Sequence, residues 1–118
     1  QLNPDRQQLP LDELLGAENP ATMACCRVGP TIVGMALMGT YKVISGHKGW
    51  IEDVVVDEKM RGQGIGKKLM EKLLEVARAK GLTEVLLFSA DHRKAAIGLY
   101  THLGFQRRQS GLYSYNKL

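Results

Sequence analysis

Apolar residues fall along this chain in blocks whose spacing shifts between two and about three and a half, and those shifts predict its elements. Two compact apolar runs, Thr22 to Val28 and Thr31 to about Thr40, flank the turn pair Gly29-Pro30 and read as a β-hairpin. Gly34 and Gly39 inside the second run suggest bulges. A polar stretch, Ile44 to Gly49, reads as a loop before Trp50–Val56, a strand by β-branched content whose last three residues are continuously apolar. Ile65, Leu69, Leu73 and Val76 then recur at helical spacing, with Met70, Leu74 and Ala77 widening the stripe. This helix of about four turns should end at Gly81. Glu84 to Ser89 reads as a second buried strand, and Asp91 as the cap of a helix buried through Ala96, Leu99 and Leu103 and closed by Gly104. Phe105 to Arg108 and Leu112 to Asn116 read as short strands around Ser110-Gly111. Ahead of the hairpin, among Pro4, Pro10 and Pro20, the cluster Leu11, Leu14 and Leu15 is compatible with a short helix. The order β-β-β-α-β-α-β-β describes a mixed α+β or α/β sheet, antiparallel first, in a single domain.

Composition narrows the class. The 118 residues are 44% hydrophobic and 24% charged, as in a soluble domain with its own core. No window approaches the roughly 18 to 20 consecutive apolar residues of a membrane span, and no basic-then-apolar signal segment opens the chain. The neighbouring Cys25 and Cys26 make neither a disulfide framework nor a zinc pattern, so a reducing, cytoplasmic setting is expected. Charge is uneven: residues 1–56 carry four basic and six acidic side chains, residues 57–118 twelve and six. The positive half should meet something anionic. Lysines scattered over helix faces do not by themselves indicate nucleic acid, and neither nucleic acid nor membrane is the expected partner.

The sharpest local signal is Arg61-Gly62-Gln63-Gly64-Ile65-Gly66-Lys67-Lys68, between a strand and a helix. Glycines let backbone amides approach one point, and the helix N-terminus adds about half a positive charge there. Arg61 and Lys67 would supplement them. A P-loop needs four residues between Gly and Gly-Lys followed by Ser or Thr, whereas Gly62 and Gly66 are separated by three residues and Lys68 holds the hydroxyl position. A dinucleotide fingerprint needs G-x-G-x-x-G after a βαβ start, and Gly62, Gly64 and Gly66 do not supply it. The pattern that fits is R/Q-x-x-G-x-G, with Arg61, Gly64 and Gly66 in register.

On these residues the chain resembles the GNAT superfamily of N-acetyltransferases, which seats the pyrophosphate of acetyl-CoA on this turn. A second block supports the resemblance: Ala95-Ala96-Ile97-Gly98-Leu99-Tyr100-Thr101-His102-Leu103-Gly104-Phe105 is similar to the family's A-x-x-L/F-Y-x-x-x-G-F segment. Together the blocks span about residues 50–108. The resemblance implies a mixed, mostly antiparallel sheet flanked by helices, and one acetyltransferase domain over 1–118 with a substrate side (1–49) and an acetyl-CoA side (50–118). It also implies acetyl-CoA as cosubstrate without a metal, a small-molecule primary amine as acceptor, and leaves a homodimer open. The family's domain begins with a strand ahead of its first helices, and none precedes Leu11, so a domain lacking that strand is expected.

Roles carry over position by position. Val54, Val55 and Val56 would pair by backbone with the amide arm of CoA, one N–H polarising the acetyl carbonyl. Arg61, Gly62, Gln63, Gly64, Ile65, Gly66 and Lys67 would hold the pyrophosphate. Tyr100 would donate a proton to the CoA sulfur. Arg93 stands where many relatives carry an Asn that contacts CoA, and could meet a CoA phosphate instead. Trp50 and Phe88 occupy the positions of the glutamates used by histone-type and ribosomal-protein-type members, which argues against those substrates. Glu52 and Asp53 remain as candidates for substrate contact or base, on opposite faces of a regular strand. Ile51-Glu52-Asp53 with the glycine turn is also similar to the glucosamine-6-phosphate N-acetyltransferases, which makes an amino sugar a candidate acceptor. His47, His92 and His102 match no metal spacing, and Cys25 and Cys26 read as strand packing rather than nucleophiles. The competing function is a catalytically degenerate CoA-binding sensor or interaction module.

Overall fold

A computed structural model describes residues 10–16, 20–89 and 93–118. Their contacts divide the chain into two compact units, Gln1–Phe88 and Ser89–Leu118.

The first unit is built on a four-stranded sheet. After a single helical turn, α1 (Leu11–Leu14), come β1 (Ala21–Val28), β2 (Thr31–Val43) and β3 (Gly46–Val56), then α2 (Ile65–Ala79) and β4 (Glu84–Leu87). The sheet runs in the order β1-β2-β3-β4, antiparallel except for the β3–β4 pair. A parallel pair needs a crossover, and α2 supplies it. The predicted mixed, mostly antiparallel sheet is therefore present. The Gly29-Pro30 hairpin is present as well, with Val28 opposite Thr31.

Residues 44–49 are not the expected loop. Val43 pairs with Gly46 and Lys42 with His47, so only Ile44 and Ser45 turn, and β3 begins at Gly46. The polar look of His47-Lys48 came from ladder residues rather than a loop. His47 accepts from both the backbone N–H (2.8 Å) and the hydroxyl (3.2 Å) of Thr83, and Lys48 Nζ meets Glu84 Oε1 at 3.4 Å across the β3–β4 pair. Cross-strand pairs of this kind contribute roughly 0.2–1 kcal/mol.

One sheet face closes on α2. Ala24, Ala36 and Met38 point into it and are buried with Ile65, Leu69, Met70, Leu73 and Ala77, which is most of the predicted stripe; Val76 and Leu74 are half-buried. Met38, Met70 and Leu73 are fully enclosed, and burying such a side chain contributes about 1.5–3 kcal/mol. The helix closes at Gly81 (φ +71): Gly81 N–H donates to Arg78 O (3.1 Å) and Leu82 N–H to Ala77 O (3.0 Å), the bond pair of a Schellman cap. On the opposite sheet face Cys25 is exposed, while Cys26 is half-buried on the α2 side, so packing accounts for only one of the two.

In the second unit, α3 (Lys94–His102) follows Arg93. Asp91 and His92 lie outside the described residues, so the predicted Asp91 cap does too. Ala96, Leu99 and Leu103 are half-buried, and Gly104 (φ +102) ends the helix as predicted. The strands predicted over 105–108 and 112–116 do not form: both stretches lack regular structure. A two-stranded ribbon is marginal without a larger sheet or a packed face, and Leu112, Tyr113 and Tyr115 are exposed.

Candidate active site

The predicted residues of the first unit lie along β3 and the turn that follows it. β3 pairs with β4 only from Lys48 to Ile51, opposite Glu84 to Leu87. From Glu52 on, β3 keeps its β2 partner, while its other edge has no ladder partner among the described residues. Asp57 N–H donates to Val33 O at 2.7 Å, so it points toward β2. Strand alternation then turns the Val55 amide the same way and those of Val54 and Val56 to the unpaired edge. The three valine side chains are half-buried, so packing and the open amides involve different atoms.

Asp53 breaks the alternation assumed for Glu52 and Asp53. Met35 pairs with Val55 but Leu37 with Glu52, leaving Asp53 and Val54 opposite the single residue Ala36, a bulge. Asp53 has φ +56, a left-handed conformation that short polar side chains tolerate. The two carboxylates therefore cannot be assigned to opposite faces by strand alternation, as the sequence suggested; both are exposed. The bulge lies in β3 rather than at Gly39. The other register shift, at Cys26/Arg27, does fall beside Gly34.

Past β3, Asp57 caps a 3₁₀ turn (Glu58–Met60) by accepting from Lys59 N–H at 3.0 Å. Gly62 (φ +82) and Gly64 (φ +77) then reverse the chain into α2. The first backbone bond of the helix runs from Lys68 N–H to Gly64 O (3.1 Å), so the amides of Ile65, Gly66 and Lys67 head the helix with no preceding turn to accept them. A Cβ on Gly62 or Gly64 would meet nothing within 4 Å: the cradle is open, and these glycines serve backbone conformation, not close packing. Arg61, Gln63 and Lys67 border it, all three exposed, the first two ahead of α2 and Lys67 in its first turn. Gln63 leans toward Met60 Sδ (4.0 Å). Ile65 turns its side chain into the core, leaving only its amide for a ligand. An anion carrying several phosphate oxygens fits amides, a helix N-terminus and two cations.

Sequence reasoning missed a concavity on the sheet face opposite α2, about 240 Å³, lined by Pro20, Ala21, Leu37, Gly39, Tyr41, Trp50 and Glu52 among others. Its only early signal was that Trp50 and Glu52 share strand parity. Among the described residues no group of three or more His, Cys, Asp or Glu could hold a metal, and no helix is long and apolar enough to cross a membrane.

In the second unit, Arg93 precedes α3 and Tyr100 lies two turns further along it. Phe105 N–H donates to Tyr100 O (3.0 Å) and Gly104 N–H to Thr101 O (3.1 Å), a second Schellman cap. Its customary apolar contact is present as an edge-to-face pair of the Tyr100 and Phe105 rings, 6.1 Å between centroids. The Gly104-Phe105 corner thus orients Tyr100. Partial burial raises the Tyr100 pKa above its ordinary 10.0, opposed by the charge of Arg93.

A family model described as "Acetyltransferase (GNAT) family" matches residues 2–105. The chain is 40% identical over 79 residues to the thialysine N-epsilon-acetyltransferase of Bos taurus, across 66% of this chain and 46% of that protein. It is 42% identical over 81 residues to the glucosamine 6-phosphate N-acetyltransferase of Trypanosoma brucei brucei, across 66% and 53%. It spans about half the length of these curated relatives. A Trypanosoma brucei acetyltransferase structure matches with TM-score 0.72 at 30% identity, over 83% of this chain and 70% of that one. An aminoglycoside acetyltransferase from an uncultured soil metagenomic sample reaches TM-score 0.82 at 21% identity, over 98% and 79%, which speaks to the fold alone. Since the family model takes in the sheet, the glycine turn and the tyrosine helix alike, the chain belongs to the acetyltransferase (GNAT) family.

Proposed function

We propose that the chain is an acetyl-CoA-dependent N-acetyltransferase that passes acetyl directly to a primary amine of a small molecule, an amino sugar being the first candidate. The observation that carries this reading is the end of β3–β4 pairing at Ile51 and Leu87, just ahead of an open glycine turn at the head of α2. An extended amide arm can use the Val54 and Val56 edge, while phosphates can use the turn residues Arg61 to Lys67. The relatives whose names specify thialysine and glucosamine 6-phosphate agree on small amines and differ on which. Residues 50–118 would serve acetyl-CoA, with 1–49 on the acceptor side of one domain.

In the reaction the amine nitrogen attacks the thioester carbon, a C–N bond forms and the C–S bond breaks. A Val54 or Val56 N–H would stabilise the developing oxyanion. Glu52 or Asp53, directly or through water, would take the ammonium proton, and the Tyr100 hydroxyl would protonate the departing thiolate. Reference phenol and thiol pKa values differ by about 1.5 units. Burial of Tyr100 widens that gap more than the Arg93 charge narrows it, so the transfer would run uphill and would have to be coupled to C–S cleavage.

The test is acetyl-CoA binding followed by consumption with amino sugars, polyamines and amino acids. Binding with turnover supports the enzyme, whereas tight binding without turnover for every amine favours the sensor module. Tyr100→Phe should keep acetyl-CoA affinity and lose about 100-fold or more in kcat; full kcat would remove Tyr100 from the mechanism. Because the folded pKa is raised, the acid stays protonated through neutral pH, and the alkaline fall in kcat assigned to it should lie above pH 10 and vanish in the Phe variant. The matching contribution to folding stability is present below the unfolded pKa and disappears as pH rises through the raised folded value.

A further inference from the structure

The concavity on the sheet face opposite α2 is built by a missing side chain. Ala21, Gly39 and Trp50 stand directly opposite one another across β1, β2 and β3, so they share one face, with a methyl group, no side chain and an indole in a row. A Cβ on Gly39 would meet nothing within 4 Å. Among the described residues the depression is therefore open above a glycine floor, with the half-buried Trp50 as one wall and the partly exposed Tyr41 further along β2. Pro20 O accepts both the amide (2.8 Å) and the hydroxyl (3.2 Å) of Thr40, holding the β1 end of the rim. Glu52 pairs with Leu37 and stands on the same face, and it is the one charged side chain among the described residues of the lining.

Aromatic faces beside a carboxylate attract a cation that carries an apolar face: the ammonium is drawn to Glu52 and to the ring quadrupoles, while C–H groups cover the indole. The described lining offers no cationic partner to a phosphate or carboxylate, and Glu52 would repel one. The site also abuts the reactive edge. Glu52 is the first residue past the end of β3–β4 pairing, and Val54 lies two residues on, just across the Asp53 bulge.

We propose that this Gly39-floored concavity is the acceptor site, and that it selects a cationic amine with an apolar face and no anionic substituent, Trp50 acting as its platform. This rests on the reading of the chain as an acetyltransferase for small amines and deepens it. The shared chemistry belongs both to an unphosphorylated amino sugar, whose ring face would stack, and to a diamine, whose methylene chain would.

The chain holds a single tryptophan, so intrinsic fluorescence reports on this site without any turnover. Glucosamine, glucosamine 6-phosphate and 1,4-diaminobutane are titrated into the wild-type protein and into Gly39→Val, whose side chain enters open space, with thermal unfolding as the check on folding. Wild type should give a saturable signal with glucosamine or diaminobutane, whichever is bound more tightly identifying the source, and at least tenfold weaker binding of the 6-phosphate. Gly39→Val should lose at least tenfold in affinity while unfolding near the wild-type temperature and binding acetyl-CoA as wild type does. Trp50→Ala, followed by calorimetry, should lose a similar factor. Preference for the 6-phosphate, unchanged amine affinity in both variants, or no saturable signal with any of the three ligands overturns the proposal. Failure of the acetyltransferase reading shows separately, as absent acetyl-CoA binding or absent turnover in protein that still gives the fluorescence response.

Discussion

Gly34 and Gly39 sit in the same strand on opposite faces of the same sheet, and the physical need for glycine differs completely between them. At Gly34 a Cβ would come within 2.9 Å of Ile65 Cγ2 and 3.2 Å of Leu69 Cδ1, so the absent side chain is what lets α2 lie against β2. At Gly39 a Cβ would meet none of the described residues within 4 Å, so the absent side chain leaves a hollow. One face spends its small residues on close packing, as interiors at crystal-like density require. The other leaves the same kind of residue facing open space beside an indole and a carboxylate. The contrast separates the scaffold from the candidate acceptor site within a sheet four strands wide.

The contrast can be broken by substitution. On the closed face, Leu73→Ala empties a fully buried position and should cost about 2–5 kcal/mol in urea unfolding; a cost below about 1 kcal/mol would mean that α2 is not the lid of the core. Gly34→Ala should cost about 1–3 kcal/mol, because Ile65 and Leu69 must give way, and a neutral result would show that the helix has room to move. Gly64→Ala tests the turn: holding a residue with φ +77 against its preference costs about 1–2 kcal/mol. The same change should weaken acetyl-CoA binding by about tenfold, corresponding to 1.4 kcal/mol. Equal affinity would detach the turn from the cofactor. Gly39→Ala, on the open face, should change stability by no more than about 0.5 kcal/mol. A cost near that of Gly34→Ala would erase the distinction between the faces.

Much of this was legible in the chain because it follows from local rules. The Gly29-Pro30 hairpin, the α2 stripe and the two glycine-closed helix ends are each decided by residues within a few positions of one another, and all were found where the spacing predicted. The glycine turn is likewise a local object. The failures have a common cause. His47-Lys48 reads as loop by polarity, yet Lys42 and His47 pair across a two-residue turn. Phe105–Arg108 and Leu112–Asn116 read as strands by composition, yet β propensity is context-dependent and needs a partner surface. Asp53 reads as one more strand residue, and only the register against Ala36 reveals its bulge.

The sequence by itself determined the order of elements from the hairpin to α3, the glycine-closed ends of α2 and α3 and the left-handed glycine turn ahead of α2, because capping, periodicity and φ > 0 glycines act over a few residues. Only the tertiary structure decided that β3 and β4 part company after Ile51 and Leu87, that Gly34 lies against α2 while Gly39 faces away from it, and that Trp50, Glu52 and Tyr41 share one hollow. Strand register and helix placement are set by packing between residues far apart in the chain, and no run of neighbouring residues encodes them alone.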